Sequence, residues 1–428
     1  MTNPRQLLAA LATISLAGAG PARAQRQPLA LDRAIRAELI DQAAGALERT
    51  YIEADTGQLI AAAIRKRLAS GAYDRLENPA QFADQVTRDL RSVNGDLHLG
   101  LRYSPEPSGP SPLGRGDPSE RNFGMGRAEI LDGNVGYLEI TGFMGAPGYR
   151  DAVVDALRFL SRTEALIIDV RRNGGGSGEM SHLVFSHFLG SDPVPTIRVK
   201  RREGEPVVRE SFAEVPGPRR PDVPLYLLTS QGTGSAAEEF SFVLKNLGRA
   251  RIVGSRTAGA GHMVTGVPLS RGFAISVSIT RVMDARSGKE WEGTGVIPDL
   301  DVDPADALDA AHEAALVALA ASASGSKVSV LERLAETVRA RRTAVTPGPL
   351  DGLAGDYEGR VVSLRDGVVY YARRRGALPE ALVPLGGRRF GLGATRYQFE
   401  PAAGGTRLTI ELPDGTSVSF LSGKAGAE

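Results

Sequence analysis

Cysteine is absent from all 428 residues, and its absence excludes disulfides, cysteine-ligated zinc, iron–sulfur clusters and thiol nucleophiles. Histidine is scarce. The five that are present include no HExxH pair, so neither a catalytic metal nor a cofactor is expected. Neither sign of charge is in excess: 51 Lys and Arg stand against 50 Asp and Glu, a formal net charge of +1. Nothing in that balance calls for nucleic acid or an anionic membrane as partner. Beyond the first residues no apolar run approaches the ~18 residues of a membrane span, so no integral membrane segment is expected. What is present is ordinary for a globular chain: 42% hydrophobic and 24% charged residues, in a length that suits two or three domains.

Residues 1–24 read as a signal peptide. Arg5 precedes an apolar run from Leu7 to Leu16, and small residues lead to Ala22-Arg23-Ala24, an A-x-A cleavage signal near Ala24. The expected location is therefore periplasmic or secreted, where lacking Cys is no handicap. Residues 25–92 carry helical periodicity and read as an N-terminal helical cap: Leu39, Ala43, Ala44 and Leu47 recur at three- and four-residue steps, and Asn78-Pro79 opens a helix with Phe82, Val86 and Leu90 on one face. Residues 93–312 then alternate strand and helix patterns, as an α/β sheet core does. The run Ala165-Leu166-Ile167-Ile168-Asp169-Val170 is apolar throughout, as in parallel strands buried on both faces. A long Ala-rich stretch from Pro304 to Ala340 reads as a helix leading away from the core, with residues 313–346 as a helical linker. Residues 347–428 turn wholly β, with hairpin signals at Asp366-Gly367, Gly404-Gly405 and Asp414-Gly415, and read as a barrel or sandwich.

Three segments could carry chemistry. The strand ending at Asp169 runs into Asn173-Gly174-Gly175-Gly176, where glycines let backbone N–H groups converge on an anion. It lacks P-loop and dinucleotide-loop spacing. The strand ending at Thr229 runs into Gly232-Thr233-Gly234-Ser235, after which a helix begins. A serine there either caps the helix or serves as a nucleophile at a strand–turn–helix elbow. The third segment, Asn94-Gly95-Asp96-Leu97-His98, supplies a histidine, the usual general base near neutral pH.

In this order, and followed by Trp291-Glu292-Gly293-Thr294-Gly295-Val296-Ile297-Pro298-Asp299, the segments resemble the tail-specific (C-terminal processing) serine peptidases. The similarity is greatest to the branch containing interphotoreceptor retinoid-binding protein and the tricorn core, and it spans roughly residues 31–311. The resemblance implies a crotonase-like ββα core and hydrolysis of peptides or unfolded protein tails. It implies Ser235 as nucleophile, Ala236 with Gly175 or Gly176 as oxyanion donors, His98 as base, and Glu292 as the carboxylate completing the relay. The sequence departs from the family's Ser–Lys members, which carry Lys about 25 residues after the serine; Ala260 stands there, leaving His98 as base with His262 as the alternative. It also has no room for a PDZ module.

Peptide or protein is thus the expected partner. A different reading keeps the fold and drops the chemistry, making the chain a carrier that holds an apolar ligand between cap and core. Arg171 and Arg172 read as salt-bridge formers at the sheet edge, and the Glu238-Glu239 pair as a partner of the helix N-terminus.

Overall fold

The computed structural model describes residues 29–104 and 117–422. The signal peptide expected at residues 1–24 lies outside the described residues, as does most of the Pro-, Gly- and Ser-rich segment that follows residue 104.

Three helices open the described chain: α1 (Arg33–Thr50), α2 (Ala54–Ala69) and α3 (Pro79–Asn94). Asp32 caps α1 by accepting the Ile35 N–H. Asn78 caps α3 ahead of Pro79, and Gly95, at φ +77°, turns the chain out of it. Their apolar faces, including Leu39, Leu47, Ile60, Phe82 and Leu90, bury one another. The same cluster takes in Phe273, Ile275 and Val277 from a strand of the core.

The middle of the chain contributes β1 (Gly100–Tyr103), β2 (Met125–Leu131), β3 (Val135–Ile140), α4 (Tyr149–Phe159), β4 (Ala165–Asp169), α5 (Gly178–Ser186), β5 (Pro195–Arg201) and β6 (Val207–Glu210). It continues with β7 (Leu225–Thr229), α6 (Ala236–Asn246), β8 (Arg251–Gly254), β9 (Met263–Pro268), β10 (Phe273–Asp284) and β11 (Leu300–Asp301). The central sheet has the order β11-β8-β7-β4-β3-β2 and is parallel except for the β2–β3 hairpin. Alternation along its strands explains their unbroken apolar runs. Leu166 and Ile168 face Val153, Leu157, Phe185 and Phe240 on α4, α5 and α6. Ala165 and Ile167 face the opposite layer. A second sheet, β1-β10-β5-β6 with β9 also on β10, joins cap to core. Its longest strand, β10, gives Ile275 to the cap cluster and Val282 to the core cluster.

The Ala-rich stretch is not one helix leading away. It forms α7 (Ala307–Ser322) and α8 (Ser326–Arg342), broken at Gly325 with φ +61°, and folds back on the sheet. Ala311, Ala315, Leu316, Leu331 and Leu334 pack there on Ile167, Tyr226, Leu228 and Val253. An exposed helix would leave that apolar face in water. The remaining chain forms a four-stranded sheet, β12 (Gly355–Tyr357), β13 (Arg360–Arg365), β14 (Val368–Ala372) and β15 (Glu380–Ala381). A five-stranded antiparallel sheet follows: β16 (Val383–Gly386), β17 (Arg389–Leu392), β18 (Thr395–Ala402), β19 (Gly405–Glu411) and β20 (Ser417–Leu421). The two share a core of Tyr357, Val362, Tyr371, Phe390, Phe399 and Leu408.

Candidate active site

Because β4, β7 and β8 are parallel neighbours, the loops leaving their carboxyl ends are brought together, which is where open α/β sheets place their sites. Hydrogen bonds tie each loop to the next. The Gly234 N–H donates to the Asn173 carbonyl at 3.1 Å, and Ala258 N–H to the Thr233 carbonyl at 3.0 Å. Thr233 Oγ1 donates to the Val170 carbonyl and Ser230 Oγ to that of Arg171.

Ser235 stands at the head of α6 with φ +52° and ψ −121°, a left-handed backbone rare for a side-chain-bearing residue. Such strain costs on the order of 1–3 kcal/mol and persists only where surrounding contacts over-determine it. Glu238 provides much of that constraint. Its carboxylate accepts the Ser235 N–H at 2.9 Å, Thr257 Oγ1–H at 2.5 Å, and the Gly259 and Ala260 N–H groups at 2.6 and 2.8 Å. Burial nevertheless raises the Glu238 pKa, only partly offset by these bonds. Its neighbour Glu239 is pushed up to about 7 by burial, with Arg209 the one opposing charge.

The glycine loop lies against the serine. At Gly175 (φ +112°) a Cβ would come within 2.8 Å of Ser235 Cβ, and at Gly176 (φ +130°) within 2.1 Å of the Phe143 carbonyl oxygen, so neither position accepts a side chain. The two amides differ. Gly175 N–H is already taken by Asn173 Oδ1 at 2.9 Å. The Gly176 and Ala236 N–H groups have no hydrogen-bond partner among the described residues. Arg171 and Arg172 turn away from this loop to pair with Asp169 and Glu139.

The histidines arrive from two sides. His98 follows α3 on the cap side, half-buried, its backbone N–H donating to Asp96 Oδ1 at 2.9 Å and its Nδ1 buried without a partner. Burial lowers its pKa; the Asp96 charge works against this and the His262 charge with it. His262 ends the loop after β8. Its Nδ1 lies 3.4 Å from Asp96 Oδ2 and 3.8 Å from Glu292 Oε2. Burial alone would lower the His262 pKa, but the Asp96 hydrogen bond and the Glu292 and Asp96 charges raise it.

Glu292 is thereby placed beside His262, with Oε2 also accepting the Gly261 and His262 N–H groups at 2.5 and 3.0 Å. Burial raises the Glu292 pKa against the His262 charge. At Asp96 burial is outweighed by the bonds from His262 and the His98 N–H, which hold the carboxyl at about 2. The polar atoms of Asp96, His262 and Glu292 all lie within 4.8 Å of one another. Two carboxylates so close disfavour joint ionisation, and the charges that raise the His262 pKa and the burial that raises that of Glu292 both act to keep a proton in the cluster.

The structure thus brings Ser235, Ala236, Gly175 and Gly176 into one loop cluster and pairs Glu292 with His262 rather than with His98. Sequence reasoning set Glu238 at the helix N-terminus, where it takes the Ser235 amide, but missed its hold on Thr257, Gly259 and Ala260, and it passed over Asp96 as partner of His262. Glu238 had a signal: serine followed three residues later by glutamate is the capping-box spacing.

The profile of peptidase family S41 matches residues 134–302. That of the N-terminal domain of family S41 peptidases in eukaryotic IRBP matches residues 25–121. The chloroplastic C-terminal processing peptidase of Tetradesmus obliquus is 30% identical over 139 residues, 32% of this chain and 29% of that one. The carboxy-terminal processing protease CtpB of Bacillus subtilis is 27% identical over 179 residues, 41% of this chain and 36% of that one. The chain spans about a third of the length of these curated relatives. Among solved structures, a photosystem II D1 C-terminal processing protease superposes with TM-score 0.41 at 18% identity, over 63% of this chain and 93% of that one. The tricorn protease superposes with TM-score 0.39 at 17% identity, over 64% and 35%.

Proposed function

Since the chain belongs to peptidase family S41, we propose that it is a serine peptidase that cleaves peptides or unfolded protein tails, with Ser235 as nucleophile and His98 as base. One observation carries the reading. Ser235 is held in a strained left-handed backbone at a strand–turn–helix elbow, beside two backbone N–H groups without a hydrogen-bond partner among the described residues. A helix-capping serine needs no strain, and neither does a carrier of apolar ligands. The central sheet with its helices is, in this proposal, the crotonase-like core. The N-terminal helices cap it, and the C-terminal sheets form a β domain of their own. Export rests on the sequence of residues 1–24.

The chemistry follows from the charges. Ser235 Oγ attacks the carbonyl carbon of an amide while its proton passes to His98. The tetrahedral oxyanion forms against the N–H groups of Ala236 and Gly176, each worth on the order of 3 kcal/mol of barrier. His98 returns the proton to the departing amine as the C–N bond breaks. Water, deprotonated by the same imidazole, then hydrolyses the acyl-serine. Of the two histidines, the one with lowered pKa is neutral near pH 7 and free to accept a proton. The one with raised pKa is the less available acceptor, because the Asp96 and Glu292 charges favour its protonated form. Glu292 acts through His262 in this arrangement, stabilising positive charge at the site without touching the His98 ring.

Digestion of casein and of a mixed peptide library, followed by mass spectrometry, tests the proposal on the full chain. Cleavage should vanish in Ser235→Ala and in His98→Ala. In the wild type, kcat/KM should rise with pH through a value below the ordinary histidine 6.5 and be level near neutrality. Cleavage surviving in folded Ser235→Ala would refute the proposal. An acid limb centred above 6.5 would move the base to His262.

A further inference from the structure

We propose that His262 is a positioning residue, a cationic clamp that fastens the helical cap to the nucleophile loop by sitting between one carboxylate from each side. Asp96 is the cap's carboxylate. It follows α3 and is held by the hydroxyl of Tyr51 at 3.0 Å, itself bonded by Asn94 Nδ2 at 2.7 Å. Glu292 is the core's carboxylate, in the loop after β10, fixed by the Gly261 and His262 amides. Among the described residues, the ion pairs recorded for Asp96 and Glu292 are those with His262. Removing that cation would leave the buried Asp96 and the part-buried Glu292 carboxylates facing each other at a spacing where like charges strongly disfavour joint ionisation.

The clamp reaches the serine through discrete bonds. Residues 259–262 are one short loop: its far end carries His262, and its near end gives the Gly259 and Ala260 N–H groups to Glu238, which holds the Ser235 amide. A shift of the cap is thereby passed to the elbow in two steps. Around His262 stand Asp96 and His98 from the cap segment, Glu53 ahead of α2, and Glu292 from the core, while Tyr51 at the end of α1 reaches it through Asp96. Three carboxylates against one neutral imidazole favour a cation at this position.

The sign of the pH dependence is fixed by that environment. A histidine whose folded pKa is raised contributes its stabilisation in full at pH values below the ordinary 6.5 and loses it as pH rises through the folded value. The cap should therefore loosen from the core on the alkaline side, while His98, already neutral, is unaffected there. The clamp itself does not depend on the peptidase reading; its catalytic consequence does.

Two measurements on the full chain separate these. In 15N-histidine NMR of the wild type, His262 should titrate above 6.5 and His98 below it. Hydrogen–deuterium exchange read by mass spectrometry should then show residues 93–103 and 257–262 exchanging at least ~10-fold faster in His262→Gln and in Asp96→Asn, with α7 and α8 unchanged. If the peptidase reading is correct, His262→Gln should lower kcat/KM by roughly 10- to 100-fold, the size of a positioning effect, while keeping the acid limb of the pH profile in place. His262 titrating below 6.5, or unchanged exchange in both variants, would overturn the clamp whether or not the protein cleaves peptides. So would disappearance of the acid limb in His262→Gln, since that would make His262 the base.

Discussion

The loops at the carboxyl ends of the central sheet and the α7–α8 hairpin on its back face belong to one sheet but are held by different forces. The loops are dense in directional polar contacts. They are fixed by backbone hydrogen bonds, by glycines at positive φ, and by two carboxylates, Glu238 and Glu292, that catch main-chain N–H groups. The hairpin is fixed by apolar area: Ala311, Ala315 and Leu316 are fully buried against Ile167 and Tyr226. Its ion pairs, such as Arg339–Glu313 and Arg341–Asp309, lie near the surface, where such pairs add little. The difference is instructive. Apolar packing tolerates small rearrangement, whereas a network of directional bonds can hold a strained residue such as Ser235 in place.

That contrast can be broken by substitution. The largest effect is expected from Glu238→Ala, which strips partners from the Ser235, Gly259 and Ala260 amides at once. It should cost on the order of 3 kcal/mol in chemical denaturation and remove peptide hydrolysis well before global unfolding. Leu316→Ala on the hairpin should cost a similar or slightly smaller amount, about 2–4 kcal/mol, through a cavity on the back face. At temperatures where that variant remains folded its kcat/KM should match wild type, and a drop there would erase the distinction between the two regions. The smallest effect sharpens it: Ser235→Gly should be more stable than Ser235→Ala by about 1 kcal/mol in matched melts, because only glycine relaxes at this φ.

Much of the scaffold could be read from the sequence because apolar periodicity reports burial directly. The run at residues 165–170 announced a strand covered on both sides, and Asn78-Pro79 opened the helix that buries Phe82, Val86 and Leu90. The Ala-rich stretch misled for a physical reason. Helix propensity is high on both sides of Gly325, so only the short Ser322-Ala323-Ser324-Gly325-Ser326 segment marks the reversal that lays α7 and α8 on the sheet. At the site, residue types and order pointed to Ser235 and the glycine loop. They could not tell that the Gly175 amide is consumed by Asn173, a contact of one side chain with its own loop. Nor could they show His262 meeting Asp96, residues 166 positions apart that only the completed fold brings within 3.4 Å. Periodicity encodes which face is buried; it is silent on which polar atom of a buried cluster finds which partner.

Activation of Ser235 by a neutral histidine is the step on which hydrolysis depends. The most direct measurement exposes the full chain to a fluorophosphonate across a range of pH and maps the adduct by tandem mass spectrometry. A single adduct on Ser235 is predicted, with a labelling rate that climbs through a pH below 6.5 and is abolished by His98→Ala. An unmodified Ser235 in folded protein, or labelling indifferent to His98, would contradict it.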